Sequence, residues 1–333
     1  LPYEVDERDD EVMRVGKRWF LLSMCLVISC TQAWRKNDCI VKVLGMKAFE
    51  NVKTLIEGGR AEEAIQNLKE LAQNPKDAKA SGAWHYLLGR AYLGAQRFED
   101  AVQALRQAKD YLPESNVVLN DLGVALVRAG YFEEGCATLG ALHARFPNDL
   151  ELTMNLLVAH AMCNLGASAL DKATELAKKY EEDFFVQFNT AFIALTVKDY
   201  QTAQYHFRKA LALRSGDKQG LLGLVYACLG ANDLECAKEA SKEAMMRYPQ
   251  DPYCLAGKAM VLEASNDRQG AIDALSRAVS LDPACALCHY NLGRIAEVVG
   301  NRGLAVQSFE QYLRLTGSKD TQVQQRLLLL RSR

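Results

Sequence analysis

At 333 residues the chain is long enough for two ordinary domains or for one elongated repeat array. Hydrophobic residues at 49% and charged residues at 24% exclude a disordered chain, a collagen and a multi-pass membrane protein. The 40 basic and 41 acidic residues leave a formal net charge of -1, which lacks the basic footprint that nucleic acid demands of a partner.

In chain order the first feature is an apolar run from Trp19 to Ser29, led by Lys17-Arg18 and followed by Thr31-Gln32 and Arg35-Lys36. At about eleven residues it is shorter than the ~20 that a bilayer-spanning helix needs. A basic leader before a short apolar core is the layout of a secretory signal peptide. Residues 1–12 are too acidic to open such a leader, and Met13 offers a start that places Met-Arg-Val-Gly-Lys-Arg before the run. Val27-Ile28-Ser29-Cys30 resembles the lipobox of bacterial lipoproteins. The resemblance implies a signal peptide over 1–29, a lipid on Cys30 and a linker over 30–44. Thr31 in place of Asp leans towards the outer membrane, facing the periplasm. The alternative is a cytoplasmic protein whose N-terminus is an uncleaved helix that docks on the array or on a membrane surface.

Steps of 34 residues from Gly82 bring small residues into register at Ala101, Gly135, Ala169, Ala203, Ala237, Ala271 and Ala305. A second column reads Ala108, Leu142, Leu176, Ala210, Ala244, Ala278 and Tyr312, and a breaker-rich third includes Pro113, Pro147, Pro249 and Pro283. Within a unit, Leu119, Leu122 and Leu126 and then Leu139 and Leu142 recur at helical spacing, with a break at Ala129-Gly130. Each unit therefore predicts two helices, crossing closely at the small residue and stopped by the proline.

Leu88-Gly89-Arg90-Ala91-Tyr92, Leu122-Gly123, Leu292-Gly293, Phe98-Glu99-Asp100-Ala101 and Tyr131-Phe132-Glu133-Glu134-Gly135 carry a resemblance to the tetratricopeptide repeat family. The resemblance implies an all-α superhelical solenoid of about eight helix-turn-helix repeats. Its units run 45–78, 82–115, 116–149, 150–183, 184–217, 218–251, 252–285 and 286–319, with Lys79 to Ser81 as an insertion. The units at Leu150 and Phe184 lack both the Leu-Gly pair and the proline, and a local irregularity is expected there. Residues 320–333 read as a capping helix with Val323, Leu327 and Leu330 on an apolar stripe and a polar back.

By that resemblance the first helix of each pair lines a concave face. Register then assigns to it Tyr86, Arg90, Asn120, Val124, Arg128, Met154, Val158, Phe188, Phe192, Tyr226, Met260, Tyr290 and Arg294. The expectation is an open apolar trough rimmed by Arg90, Arg128 and Arg294, which takes a protein or peptide segment. No small-molecule substrate, metal, nucleophile elbow or phosphate loop is indicated, and the chain does not read as an enzyme. One sequence, Cys285-Ala286-Leu287-Cys288-His289, matches the c-type haem attachment pattern. Its readings are structural coincidence, a Cys285-Cys288 redox pair or disulfide, or haem. The function expected is a lipoprotein scaffold of the bacterial envelope that recruits or stabilises other proteins, similar to repeat-bearing lipoproteins of pilus and secretin assembly. The alternatives are a haem or thiol-redox repeat protein and a cytosolic adaptor.

Overall fold

A computed structural model describes residues 47–58, 60–71, 78–163, 165–316 and 320–332. The apolar run, Cys30 and the linker lie outside the described residues. Among those described the chain forms seventeen helices and no strand.

The pairs are α1 (Lys47–Glu57) with α2 (Ala61–Leu71), α3 (Ala78–Gly94) with α4 (Phe98–Tyr111), α5 (Asn116–Arg128) with α6 (Phe132–Arg145), and α7 (Leu150–Met162) with α8 (Gly166–Lys179). They continue as α9 (Phe184–Thr196) with α10 (Tyr200–Leu213), α11 (Lys218–Gly230) with α12 (Leu234–Arg247), α13 (Pro252–Ala264) with α14 (Arg268–Leu281), and α15 (Ala286–Val298) with α16 (Arg302–Leu315). A last helix, α17 (Thr321–Ser332), has no mate. The second helices from α4 to α16 all begin 34 residues apart, so the period read from the sequence is the period of the fold.

The helices group into two compact units, one ending at Lys178 and one starting at Lys179. Residues 79–81, expected as an insertion, continue helically into α3. No breaker stands between Pro75 and Gly82, and Ala-Lys-Ala-Ser is compatible with a helix. The units at Leu150 and Phe184 also keep the period despite their missing prolines. The helices that follow the missing prolines start cleanly because Asp183 accepts the amide of Val186 and Asp217 that of Gly220. These caps satisfy an orphan donor that would otherwise fray the first turn.

The small column works as a point of contact. Ala101, Ala203, Ala237, Ala271 and Ala305 are fully buried. On the facing helix a Cβ added to Gly89 would lie 2.5 Å from Leu105, and one added to Gly123 2.6 Å from Leu139. The exception in the column is also explained: a Cβ at Gly135 would meet Val127 at 2.6 Å, where the other units carry Ala.

Each hairpin turn described has one residue in the left-handed region: Gln96, Gly130, Lys198, Asn232, Asn266 and Gly300. This conformation closes a helix C-terminus and redirects the chain.

At the C-terminal end Asp320 caps α17 by accepting the amides of Gln322 and Val323, and it also accepts the Tyr312 hydroxyl at 2.9 Å. Val323 and Leu327 are buried and Leu330 packs beside them, but Leu328 (64% exposed) and Leu329 (59% exposed) give the helix an apolar back. The wholly polar back expected from the sequence is corrected by these two residues, which reach none of the core that holds Val323.

A Cβ at Gly300 meets nothing within 4 Å, so its positive φ of 80° isolates the backbone term. Gly300→Ala is expected to cost about 1 kcal/mol, measurable as a fall of a few degrees in Tm with helix content unchanged in circular dichroism.

Candidate functional site

All thirteen residues assigned to the concave face lie on first helices of their pairs, but their side chains are not open. In the N-terminal unit Tyr86, Asn120, Val124, Arg128, Met154 and Val158 are all less than 10% exposed. Phe188, Phe192, Tyr226, Met260, Tyr290 and Arg294 are equally buried in the C-terminal unit.

The trough expected on these side chains is therefore corrected, for a physical reason visible in each unit. Every residue from Val186 to Leu195 is buried, so α9 has no uncovered stripe. Phe188 stacks on Phe184 and meets Phe207 of the mating helix edge-on, both at 5.7 Å between ring centroids. Tyr290 sits 5.4 Å from Tyr312 and 6.3 Å from Phe309 in the same way. Burial alone pushes the Tyr226 phenol above its ordinary value.

The three arginines expected at the rim are engaged within the chain. Arg128 lies over the Phe98 ring at 4.6 Å, which desolvates a cation on a π face. Both terminal nitrogens of Arg294 donate to the two carboxylate oxygens of Glu263, a bidentate pair that fixes α15 against α13. Arg90 is 3.8 Å from Asp121 and 3.4 Å from the Tyr86 hydroxyl, with 19% of its side chain exposed.

Arg90 leads to a polar cluster that the sequence did not announce. Asp121, fully buried on α5, accepts from the Asn120 amide at 3.2 Å. Asn120 in turn accepts from the amide of Asn155 on α7 at 2.9 Å, so three first helices are joined by polar groups. The half-buried Glu151 lies one turn before Asn155 on α7. Burial, then Asp121 and Asp149, push the Glu151 carboxyl up to about 8 against the pull of Arg90. A comparable pairing in the C-terminal unit has His206 Nδ1 2.7 Å from Gln187, with burial and then Lys209 pushing that imidazole down to about 4. No local pattern announces these partners, because Asn120 to Asn155 and Gln187 to His206 are contacts of the folded stack.

The half-exposed positions of the first helices form a row of their own. Phe185, Gln219 and Tyr253 are the second residues of α9, α11 and α13, each 34 residues from the last and neither buried nor fully exposed. Neighbouring first helices touch in this unit, so the row crosses successive helices at the 8 to 10 Å spacing of packed pairs. Each is the second residue of its 34-residue unit, and that shared register is the signal the sequence offers.

Three disulfides use six of the seven described cysteines: Cys136–Cys163, Cys228–Cys236 and Cys285–Cys288, with Cys254 free and buried. Cys285 and Cys288 are at most 1% exposed within the core of α13, α14 and α15, and Cys285 Sγ also caps α15 by accepting the Cys288 amide at 3.2 Å. Their sulfurs are bonded to each other inside a packed core, and His289 points to the Pro283 carbonyl at 3.1 Å. This set does not fit two thioether bonds to haem, which corrects that reading of Cys285, Cys288 and His289. Among the described residues no three His, Cys, Asp or Glu side chains cluster as a metal site, and no helix is long and apolar enough to cross a membrane.

Family models described as tetratricopeptide repeat match residues 55–120 and 194–261, and a second such model matches 257–319, together more than half of the sequence. The chain is 24% identical over 267 residues to the BBSome complex member BBS4 of Bos taurus, an alignment that covers 67% of this chain and 50% of that protein. It thus spans about half the length of this curated relative. A solved tetratricopeptide repeat protein from Parabacteroides merdae superposes with a TM-score of 0.55 at 14% identity, over 75% of this chain and 98% of that one. That likeness bears on the fold.

The half-exposed Cys136–Cys163 bond closes a loop between residues 27 apart and joins α6 to the end of α7. Replacing both cysteines with Ser is expected to destabilise the protein by about 3 kcal/mol. Urea unfolding followed by circular dichroism checks this, and dithiothreitol should narrow the gap between the two proteins.

Proposed function

Because the chain belongs to the tetratricopeptide repeat family, we propose that it is a protein-binding scaffold whose contact surface is the row of half-exposed residues on its first helices. The observation that carries this is the 34-residue recurrence of Phe185, Gln219 and Tyr253, an aromatic, an amide and an aromatic in line on touching helices. Aromatic side chains supply contact area at low entropic cost, and an amide between them gives a bound backbone a donor and an acceptor. A segment with apolar anchors at matching intervals fits this row better than a small molecule does. The bovine relative is by its name a member of a protein complex, the kind of role proposed here.

The finer reading is a lipoprotein scaffold in a bacterial envelope, held through Cys30 at the outer membrane and serving pilus or secretin assembly. Support comes from the basic leader, the apolar run and Cys30. The three disulfides are in keeping with an oxidising compartment, since thiols stay reduced in most cytosols. A cytosolic adaptor would have to keep these bonds against that reducing pool.

Two measurements separate these layers. In a cross-linking pull-down, Phe185→Asp with Tyr253→Asp should lose the partners that wild type recovers, and an unchanged partner list would discard this surface. Metabolic labelling with a palmitate analogue should mark wild type and spare Cys30→Ala, whereas equal labelling of both would remove the lipoprotein reading and leave the scaffold standing.

A further inference from the structure

A cavity of about 370 Å³ opens along α10, lined by Gln201, Gln204, Tyr205, Arg208, Lys209 and Ala212. These residues follow one another at helical spacing, so a single stripe of α10 forms the wall. The stripe is open to solvent: Gln201, Arg208 and Ala212 are exposed, and the Tyr205 ring is 54% exposed. Gln204 is the exception, with only 9% of its surface left uncovered. Among the described residues no hydrogen bond reaches its side-chain amide, although buried amides are ordinarily paired. Beside it stand two cations, and neither forms an ion pair with a described carboxylate. Arg208 gives one terminal nitrogen to Cys236 Sγ at 3.1 Å, and Lys209 Nζ lies over the Tyr205 ring at 5.3 Å. An accessible hollow that holds an unpaired buried amide between unpaired cations asks for an anionic acceptor.

We propose that this cavity receives the side-chain carboxylate of an aspartate or glutamate on a bound protein segment. This rests on the scaffold reading and adds a contact on a second helix, where the row of Phe185, Gln219 and Tyr253 has no member. Charge decides the ligand. Arg208 and Lys209 bring two positive charges, and Glu181, the carboxylate whose field reaches Lys209, brings one negative charge. His206 on the same helix stays neutral near pH 7, because burial and then Lys209 push its imidazole down to about 4. One carboxylate closes this balance. A doubly charged phosphate overshoots it, and an ammonium enlarges the positive excess.

Each wall residue has a part in the contact. The guanidinium of Arg208 has N–H donors beyond the one given to Cys236, so it serves a carboxylate oxygen without leaving the sulfur. Lys209 adds a point charge whose place over the Tyr205 ring holds it at the mouth of the cavity. Gln204 donates its amide N–H to the second oxygen, which gives this buried group the partner it lacks in the free chain. The exposed ring of Tyr205 then covers the methylene stem of the acidic residue.

The test uses the full chain and the α-methylamide of N-acetyl-glutamate as the probe, followed by NMR of the Gln204 side-chain amide and the Arg208 Nε–H. The glutamine analogue of the probe, alike in shape but uncharged, and methyl phosphate serve for comparison. The expected result is saturable shifts at both groups with the glutamate probe, and binding about tenfold weaker with either comparison. Arg208→Met and Lys209→Met keep the aliphatic stems on the open side of α10, so the fold is retained, and each should weaken the probe about tenfold. Lys258→Met, at an exposed lysine on α13, should leave binding unchanged. Absence of saturable shifts, equal binding of the glutamine analogue, methyl phosphate binding as well as the probe, or a loss in Lys258→Met equal to that in Lys209→Met would overturn the proposal. Partner recovery through Phe185 and Tyr253 is measured separately, so failure of the probe leaves the scaffold reading to its own experiment.

Discussion

The two helices of a pair approach so closely that one side can carry no more than a methyl group where they cross. Gly89 against Leu105 and Gly123 against Leu139 leave no room for a Cβ, and the fully buried alanines from Ala101 to Ala305 occupy the mating helix. Everything else in each unit follows from that spacing. A tight pair has an apolar flank on either side, the flank needs another pair to cover it, and stacking repeats at the interval set by the small residues. Gly135 shows the constraint acting locally, since Val127 takes the volume that an alanine would need and the sequence gives up the methyl group there.

Stacking of this kind covers the first helices more completely than it covers their mates. Ten successive buried residues in α9 are the clearest case. Polar groups that fall on such helices must find partners inside the stack, and Asn120, Asp121, Asn155, Gln187 and Arg294 show how far that succeeds. Where a partner lies a repeat away, as for Asn155 and Asn120, the hydrogen bond fixes the register between repeats as well as satisfying the atoms. At the ends of the first helices Phe185, Gln219 and Tyr253 stay partly uncovered, which is why the contact row is proposed there.

The period, the pairing and the small column were legible in the sequence because each depends on residues close along the chain or a fixed 34 apart. The helix starts that no proline precedes are harder to read, yet Asp183 and Asp217 stand in the capping place. Left-handed turn residues were visible at Gly130 and Gly300 but hidden at Gln96 and Lys198, whose conformation is imposed by the hairpin against their own preference. The burial of Phe188 and Tyr290 is hidden from the sequence for a related reason. Register gives the side of the helix a residue occupies, and only the bulk of Phe207, Phe309 and Tyr312 on the mating helix shows whether that side is filled. Disulfides and the Asp121 cluster depend on contacts between repeats, which no local pattern encodes.

A stack of similar pairs is held by nearest neighbours, so in general it can fray one pair at a time. The bond between Cys136 and Cys163 runs from the second helix of one pair to the end of the first helix of the next. It is a covalent rung across the joint where such fraying would pass. With the rung closed, loss of either pair drags on its neighbour and the two melt as one cooperative block; with it open, they become separate links. The redox state of a single thiol couple therefore sets how finely this unit can come apart.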